Sequence, residues 1–322
     1  MHGMVPSEHM RSPSAWNSWI RSQRIARFER RDLSFALLAA VTMSWFWDSL
    51  VLVLISSLQD ENSQQYSHIS LIPVLCLYLL YSRRAAIFAS TEWSPFLGTI
   101  LMVVGVTLSL GTKRPMSDTL AGLSPTIFSF VVVCWGAFLL CYGPHAFRAA
   151  FFALGLMAFM VPFPAVMLNA IVGFLQRSSA DTVEVLFSTF GIPVAREGFI
   201  FTLSDFTILI AEECSGIRSF LSLVITSLVA GHWLLTSGWA KTALVVVVVP
   251  LAIIKNAFRI VGLALLANYV DPTYITNSAL HRSGGIPLFL FSLVVLLGIV
   301  LILRRWEGRL TIPSGSVRDG HA

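Results

Sequence analysis

Long apolar runs follow one another along almost the whole chain, separated by short polar stretches, and this pattern constrains the fold more than any other feature. The runs are Leu33–Ile55, Ile69–Tyr81, Phe96–Gly111, Leu123–Gly143, Ala149–Leu168, Ser215–Leu235, Thr242–Leu266 and Ile286–Leu303. Crossing roughly 30 Å of hydrocarbon takes about 20 helical residues at about 1.5 Å each. Only 12% of the 322 residues are charged and 56% are hydrophobic, with a mean hydropathy of +0.76. A soluble domain carries about a quarter charged residues, so this chain lacks the polar surface to cover a soluble globule. The composition excludes an ordinary soluble enzyme, a disordered protein and a disulfide-stapled secreted domain. The predicted class is all-α: a polytopic membrane helix bundle of about eight transmembrane helices, with membrane lipids as its surroundings. Residues 1–32 read as a basic amino-terminal tail, 33–303 as the transmembrane domain and 304–322 as a carboxyl-terminal tail.

The net charge of +5 is distributed as topology rather than as a nucleic-acid surface, and no nucleic-acid partner is expected. Arg83, Arg84, Arg148, Lys241, Arg304, Arg305 and Arg309 fall in alternate connections, which by the positive-inside rule are cytoplasmic. The other connections hold Asp60 and Glu61 and mixed charges such as Lys113, Arg114 and Asp118, with Arg177, Arg196 and Arg282 as exceptions. Both termini are therefore expected in the cytoplasm, in a multi-pass protein of the cell (inner) membrane. Arg24, Arg27 and Arg31 lie at helical spacing downstream of Trp16 and Trp19. The tail is either a helix on an anionic leaflet or a charged segment that fixes orientation. The first apolar run is too long for a cleaved signal and reads as an anchor.

Between the fifth and sixth runs, Phe174–Phe190 mixes apolar residues with Gln176, Arg177, Asp181 and Glu184 and predicts an amphipathic helix at the outer interface. Gly191-Ile192-Pro193 breaks it, and Val194–Ile210 reads as strand or extended chain.

Three polar stretches fall at the same predicted membrane face. The first is Ala211-Glu212-Glu213-Cys214-Ser215-Gly216-Ile217-Arg218-Ser219. It places Cys214 at a helix amino end, where unpaired N–H groups favour a thiolate. Glu212 and Glu213 oppose that effect unless they are paired with arginine, and Arg218 is expected four residues on along the same helix face. An interfacial cysteine beside a salt-bridged loop is the competing reading of this segment. The second stretch, Pro250–Ile260, carries Lys255, Asn256 and Arg259. Ionisable groups inside a span are costly, so these form either a polar wall or, for Arg259, a snorkelling side chain. The third is the loop holding His281. A thiol nucleophile needs a proton acceptor and donor, which imidazole supplies. A guanidinium or helix-end N–H groups stabilise an oxyanion. Cys76, Cys134 and Cys141 lie inside apolar runs as small apolar residues. No metal-ligand cysteine spacing appears, and neither a metal nor a cofactor is expected.

These elements resemble the exosortase/archaeosortase family of integral membrane cysteine transpeptidases, from about Leu33 to Leu303. Ala211–Ser219 is similar to the family's nucleophile motif, Asn256, Arg259 and Ile260 to its Asn-x-x-Arg-Ile element, and His281 with Gly285 to its His-x-x-x-Gly element. Met160–Pro164, Gly191–Pro193, Arg196–Gly198 and Tyr66-Ser67-His68 add to the likeness. Members often have alanine at the place of Glu213 and glycine at the place of Ile69. The resemblance implies exported protein substrates with a carboxyl-terminal sorting signal: a short motif such as Pro-Glu-Pro, one transmembrane helix and basic residues. It implies Cys214 as nucleophile just outside the membrane, through a thioester. Arg259 would stabilise charge or position the signal, and His281 would serve as acid/base or as an orienting group. Arg218, Asn256, Lys255, Glu213 and His68 would support them. The short segment after Arg309 predicts no further soluble domain. Two other readings compete: a transporter or lipid-linked-precursor carrier that binds an anionic head group through Arg259, Lys255 and Arg218, and a non-catalytic scaffold.

Overall fold

The computed structural model describes residues 30–59, 66, 68–89, 92–112, 120–203, 207–269 and 285–310. The helices are α1 (Arg30–Trp45), α2 (Trp47–Gln59), α3 (Ile72–Ser82), α4 (Arg84–Ile87), α5 (Pro95–Gly111), α6 (Ser124–Leu156), α7 (Ala165–Thr189), α8 (Ile217–Leu234), α9 (Gly238–Tyr269) and α10 (Gly285–Leu310). Three short strands, β1 (Ala195–Glu197), β2 (Ile200–Thr202) and β3 (Thr207–Leu209), interrupt them.

The all-α membrane class holds, but the expected count of about eight spans does not. By length and composition alone, four stretches among the described residues could cross a bilayer: Ser124–Met160, which reverses at Gly143, Ile217–Leu234, Gly238–Tyr269 and Gly285–Gly308. The interrupted pair α1 and α2 makes a fifth if it serves as one span. The predicted runs Ile69–Tyr81 and Phe96–Gly111 yield helices of only 11 and 17 residues, about 16 and 25 Å long. The predicted run Leu33–Ile55 is divided at Phe46. The fourth run and the start of the fifth fall in α6, which is not straight, and the fifth run continues through the 3-10 turn Met157–Met160 into the start of α7. Gly143 leaves the helical region with φ 81° and ψ 177°. The Trp135 indole N–H donates to the Leu154 carbonyl at 2.9 Å. Residues that far apart in a straight helix would be separated by about 28 Å, so 124–142 and 144–156 double back on each other. A Cβ at Gly143 would also run into the Glu92 carbonyl oxygen, so glycine is required there twice over.

The described residues form two compact units. The first is drawn from Met1–Asp48, Leu79–Arg114 and Pro125–Leu154, the second from Ser49–Tyr78, Pro115–Ser124 and Gly155–Ala322. In the first, a side chain at Gly98, Gly105 or Gly136 would collide with the facing helix, so small residues set the close approach of α5 and α6. Tyr142 donates to Asp32 at 2.9 Å.

The second unit is organised around α9, which packs against α7, α8 and α10. Pro162 and Pro164 separate α7 from the preceding helix. The segment expected as a separate interfacial helix, Phe174–Phe190, is instead the continuation of α7. The helix ends in a Schellman motif at Gly191 (φ 68°): Gly191 N–H donates to Ser188 O at 3.1 Å and Ile192 N–H to Phe187 O at 2.9 Å. The predicted extended stretch is an antiparallel sheet of order β1-β2-β3, turned at Gly198 (φ 63°) as a tight hairpin requires. Phe201 and Ile210 enter a core with Val183 and Phe187 of α7 and Ala257, Val261 and Ala264 of α9. Arg196 fastens the sheet to α7. It donates to Glu184 at 2.6 Å, to Asp181 at 2.8 Å and to the Gly198 carbonyl at 2.9 Å, and it lies over the Phe201 ring. The Asp181 and Glu184 carboxylates hold its pKa above the ordinary guanidinium value. The acidic residues of α7 are thereby accounted for.

At the amino end of α9 the buried Glu307 carboxylate of α10 accepts from Ser237 N–H at 2.7 Å, Ser237 Oγ at 2.6 Å and Thr236 N–H at 3.1 Å. It occupies the positive end of a 32-residue helix, where a carboxylate is favoured. Glu307→Ala strips these donors of their acceptor. It is expected to cost about 1–3 kcal/mol, read as a lowered thermal midpoint of the purified protein in detergent.

Candidate active site

The chain leaves β3 through Ile210 and Ala211, forms a 3-10 turn over Glu212–Ser215, and enters α8 at Ile217. Each step of this path is held. Gln176 of α7 donates its amide to the Ile210 carbonyl at 2.7 Å, and Ile210 N–H donates to Phe199 O at 2.9 Å. Cys214 N–H closes the turn on Ala211 O at 2.9 Å. Gly216 then takes the left-handed conformation, φ 77°, which costs a residue with a Cβ about 1 kcal/mol or more. The Gly216 carbonyl accepts from Phe220 N–H at 3.0 Å and Ser219 Oγ at 2.9 Å.

Asn256 of α9 supplies the decisive contact. Its side-chain amide donates to the Cys214 carbonyl at 2.7 Å and to Ser179 Oγ of α7 at 3.1 Å. Asn256 is 1% exposed and Ser179 0%. Burying an amide without partners costs several kcal/mol, so this amide fixes where the turn lies relative to α7 and α9. A Cβ at Gly216 would stand 2.9 Å from both Cγ and Oδ1 of Asn256. Glycine is therefore needed for its backbone angle and for the space that the amide fills. Asn256 Oδ1 and Ser215 Oγ are buried and find no hydrogen-bond partner among the described residues.

Lys255, 6% exposed, lies beside Asn256 and hydrogen-bonds through Nζ to Ser219 Oγ in the first turn of α8. Arg259 follows one turn later on α9. Cys214 itself is half-buried, reduced, and packed against the core shared by α7, the sheet and α9.

The structure thus brings Cys214, Asn256 and Lys255 together around the start of α8, with Arg259 on the adjoining turn of α9. Two details differ from the expected arrangement. Cys214 is not on α8, because Gly216 separates its turn from the helix. The helical i, i+4 relation to Arg218 therefore does not apply, and Arg218 is exposed in the first turn. His68 is buried in the turn before α3, where Leu71 N–H donates to its carbonyl at 3.1 Å. His281 and the Glu213 side chain lie outside the described residues. Two residues that sequence reasoning did not single out as site residues, Gln176 and Ser179, grip the path to Cys214. Their signal was present: both fall on the buried stripe of α7 with Val172, Ala180, Val183 and Phe187, and a polar residue on an apolar stripe needs a partner.

A family model described as Transmembrane exosortase matches residues 56–298. The chain belongs to the transmembrane exosortase family. The match spans α7, the sheet, the Cys214 turn, α8 and α9, and membership supports a transpeptidase role in the membrane. No curated protein and no solved structure matches the chain.

In this exosortase, with Cys76, Cys134 and Cys141 replaced by alanine, Asn256→Ala is expected to release the Cys214 turn. Alkylation of Cys214 by a water-soluble maleimide should accelerate several-fold, and stability should fall by about 1–3 kcal/mol. Gly216→Ala should do the same by displacing the amide. Unchanged alkylation in both would mean that the amide does not set the turn.

Proposed function

We propose that this exosortase is a cysteine transpeptidase that cleaves a carboxyl-terminal sorting signal from exported proteins at the extracytoplasmic face of the cell membrane, with both of its own termini cytoplasmic. The substrates carry a short motif such as Pro-Glu-Pro, a transmembrane helix and basic residues. The observation that carries the reading is the Asn256 grip on the Cys214 carbonyl. A half-buried thiol in a turn fixed by its own main chain, leading into a helix whose first turn receives the Lys255 ammonium, is arranged for attack rather than for packing.

Cys214 attacks as thiolate on the scissile carbonyl carbon, and the C–S bond forms as the carbonyl π electrons move to oxygen. The tetrahedral oxyanion is stabilised by Arg259 and by first-turn N–H groups of α8, which have no acceptor inside the helix. Collapse breaks the C–N bond. His281 takes up the thiol proton and delivers it to the departing amine. The thioester is then resolved by an incoming amine or by water: the nucleophile adds to the carbonyl and gives its proton to His281, the C–S bond breaks, and Cys214 is returned as thiolate. Lys255, Asn256, Arg218, Glu213 and His68 support the site, Lys255 by adding positive potential in a medium that screens it weakly.

The test uses an exported reporter tagged at its carboxyl end with such a signal. Cys214→Ala should abolish processing, by more than a thousandfold, while leaving the protein in the membrane at normal abundance. Arg259→Lys should keep the charge but lose the guanidinium geometry, and is expected to slow processing tenfold or more. Mass spectrometry of an acid-quenched reaction should locate an acyl adduct on Cys214. Normal processing by Cys214→Ala would overturn the assignment.

A further inference from the structure

Strand β3 is an edge strand five residues ahead of Cys214, and its outward main-chain groups can be assigned from the register. Leu209 pairs with Ile200, Ile208 with Phe201 and Thr207 with Thr202. In an antiparallel ladder, hydrogen-bonded and non-hydrogen-bonded pairs alternate. Ile210 N–H donates to Phe199 O, so 210 with 199 is a hydrogen-bonded pair, and so is 208 with 201. Thr207 and Leu209 therefore turn their main-chain groups away from β2. The Leu209 carbonyl is taken by Ala211 N–H at 3.1 Å. Leu209 N–H and both groups of Thr207 face outward, and among the described residues no strand pairs with that side.

The two edges of this sheet are treated differently. Edge strands invite pairing and are normally guarded by charge or proline. β1 follows Pro193 and carries Arg196 and Glu197. β3 is Thr-Ile-Leu, with Thr207 exposed and Leu209 61% exposed. The unguarded edge is the one that runs into the Cys214 turn. It is also rigidly joined to it: Gln176 holds Ile210, and Ala211 holds Cys214. Five residues span at most about 17 Å.

The geometry points to β3 as the subsite that captures the substrate main chain: the segment beside the scissile bond adds to the sheet as a fourth strand, registered by Leu209 N–H and Thr207. This rests on the reading of Cys214 as nucleophile and gives it a substrate conformation. Strand addition recognises a peptide through its backbone, with specificity left to alternate side chains. It also holds the chain extended, so that a carbonyl just beyond the pairing is free for attack instead of being tied up in a helix.

Proline separates the main-chain contact from mere presence of the strand, because it is tolerated on an edge whose N–H faces outward. With the Pro-Glu-Pro reporter, Leu209→Pro should raise KM about tenfold, leave kcat within about twofold, and leave the alkylation rate of Cys214 unchanged. Leu209→Ala keeps the N–H and should raise KM less than about threefold. A KM unaltered by Leu209→Pro, or raised equally by alanine, would overturn the proposal. A second measurement covers a proline variant that fails to fold. Thr207→Cys in a Cys214→Ala background is oxidised with reporters bearing single cysteines along the segment beside the scissile bond. Disulfides should form at every second reporter position. Uniform or absent disulfides, or disulfides between two copies of the exosortase, would overturn it. Normal reporter cleavage by Cys214→Ala is a different outcome: it would remove the nucleophile reading itself.

Discussion

The local structure around the thiol depends on one buried amide. Asn256 spends its two N–H donors on different elements, the Ser179 hydroxyl of α7 and the Cys214 carbonyl. It thereby ties two long helices to a turn that has no regular ladder of its own. Apolar packing brings α7, α8 and α9 together but is non-directional, so it cannot choose where a four-residue turn sits. The hydrogen bonds can, because in a core leaving them unmade costs more than making them gains. Gly216 completes the arrangement. Its left-handed φ turns the chain into α8, and its missing Cβ is the volume that the Asn256 amide occupies.

Charge along α9 follows the same economy. The Glu307 carboxylate meets the amino end at Thr236 and Ser237, and the cations Lys255 and Arg259 lie in the carboxyl-terminal half. The first placement agrees with the helix dipole, while Lys255 and Arg259 stand more than two turns short of the carboxyl end, beyond its reach. A buried ammonium is expensive in a bilayer, and Ser219 Oγ offsets only part of that. A second cation one turn away raises the cost. Packing gives no reason to keep two positive groups there, whereas chemistry that develops negative charge does. The same logic separates Arg196, whose charge is neutralised by Asp181 and Glu184 and serves to fasten the sheet.

Class and site were legible in the sequence to different depths. Apolar runs mark membrane helices reliably because burial in lipid requires them, and α8, α9 and α10 fall close to the predicted runs. Span counting failed where run length and helix length diverge. Hydropathy is blind to the break at Phe46, whereas the reversal at Gly143 falls where the predicted runs Leu123–Gly143 and Ala149–Leu168 divide, although the backbone angle and the close approach to Glu92 that make it are not visible in hydropathy. The cluster of Cys214 with Asn256 and Lys255 was legible because costly residue types stood out against apolar surroundings. Ser179 and Gln176 were legible only as polar residues on the apolar stripe of α7; that they needed partners followed from the pattern, but which partners did not. The helical relation between Cys214 and Arg218 failed for a local reason: glycine at 216 ended one turn and began another.

The use of Cys214's own main chain constrains the chemistry. In many acyl-transfer sites a backbone N–H near the nucleophile helps to form the oxyanion hole. Here the Cys214 N–H is committed to Ala211 O and the Cys214 carbonyl to Asn256. The turn is thus made rigid by the groups that would otherwise assist the reaction. Rigidity of this kind favours catalysis by orientation, and it moves the burden of charge stabilisation to neighbours. The donors next along the chain are the first-turn N–H groups of α8 after Gly216, and the cations described in this region are Arg218 in that turn and Lys255 and Arg259 on α9. A left-handed glycine at the junction is what lets a closed turn and an open helix end stand side by side. On the proposed reading of Cys214 as nucleophile, the conformational demand at residue 216 and the electrostatic demand of thiol acyl transfer would be met by the same bend in the chain.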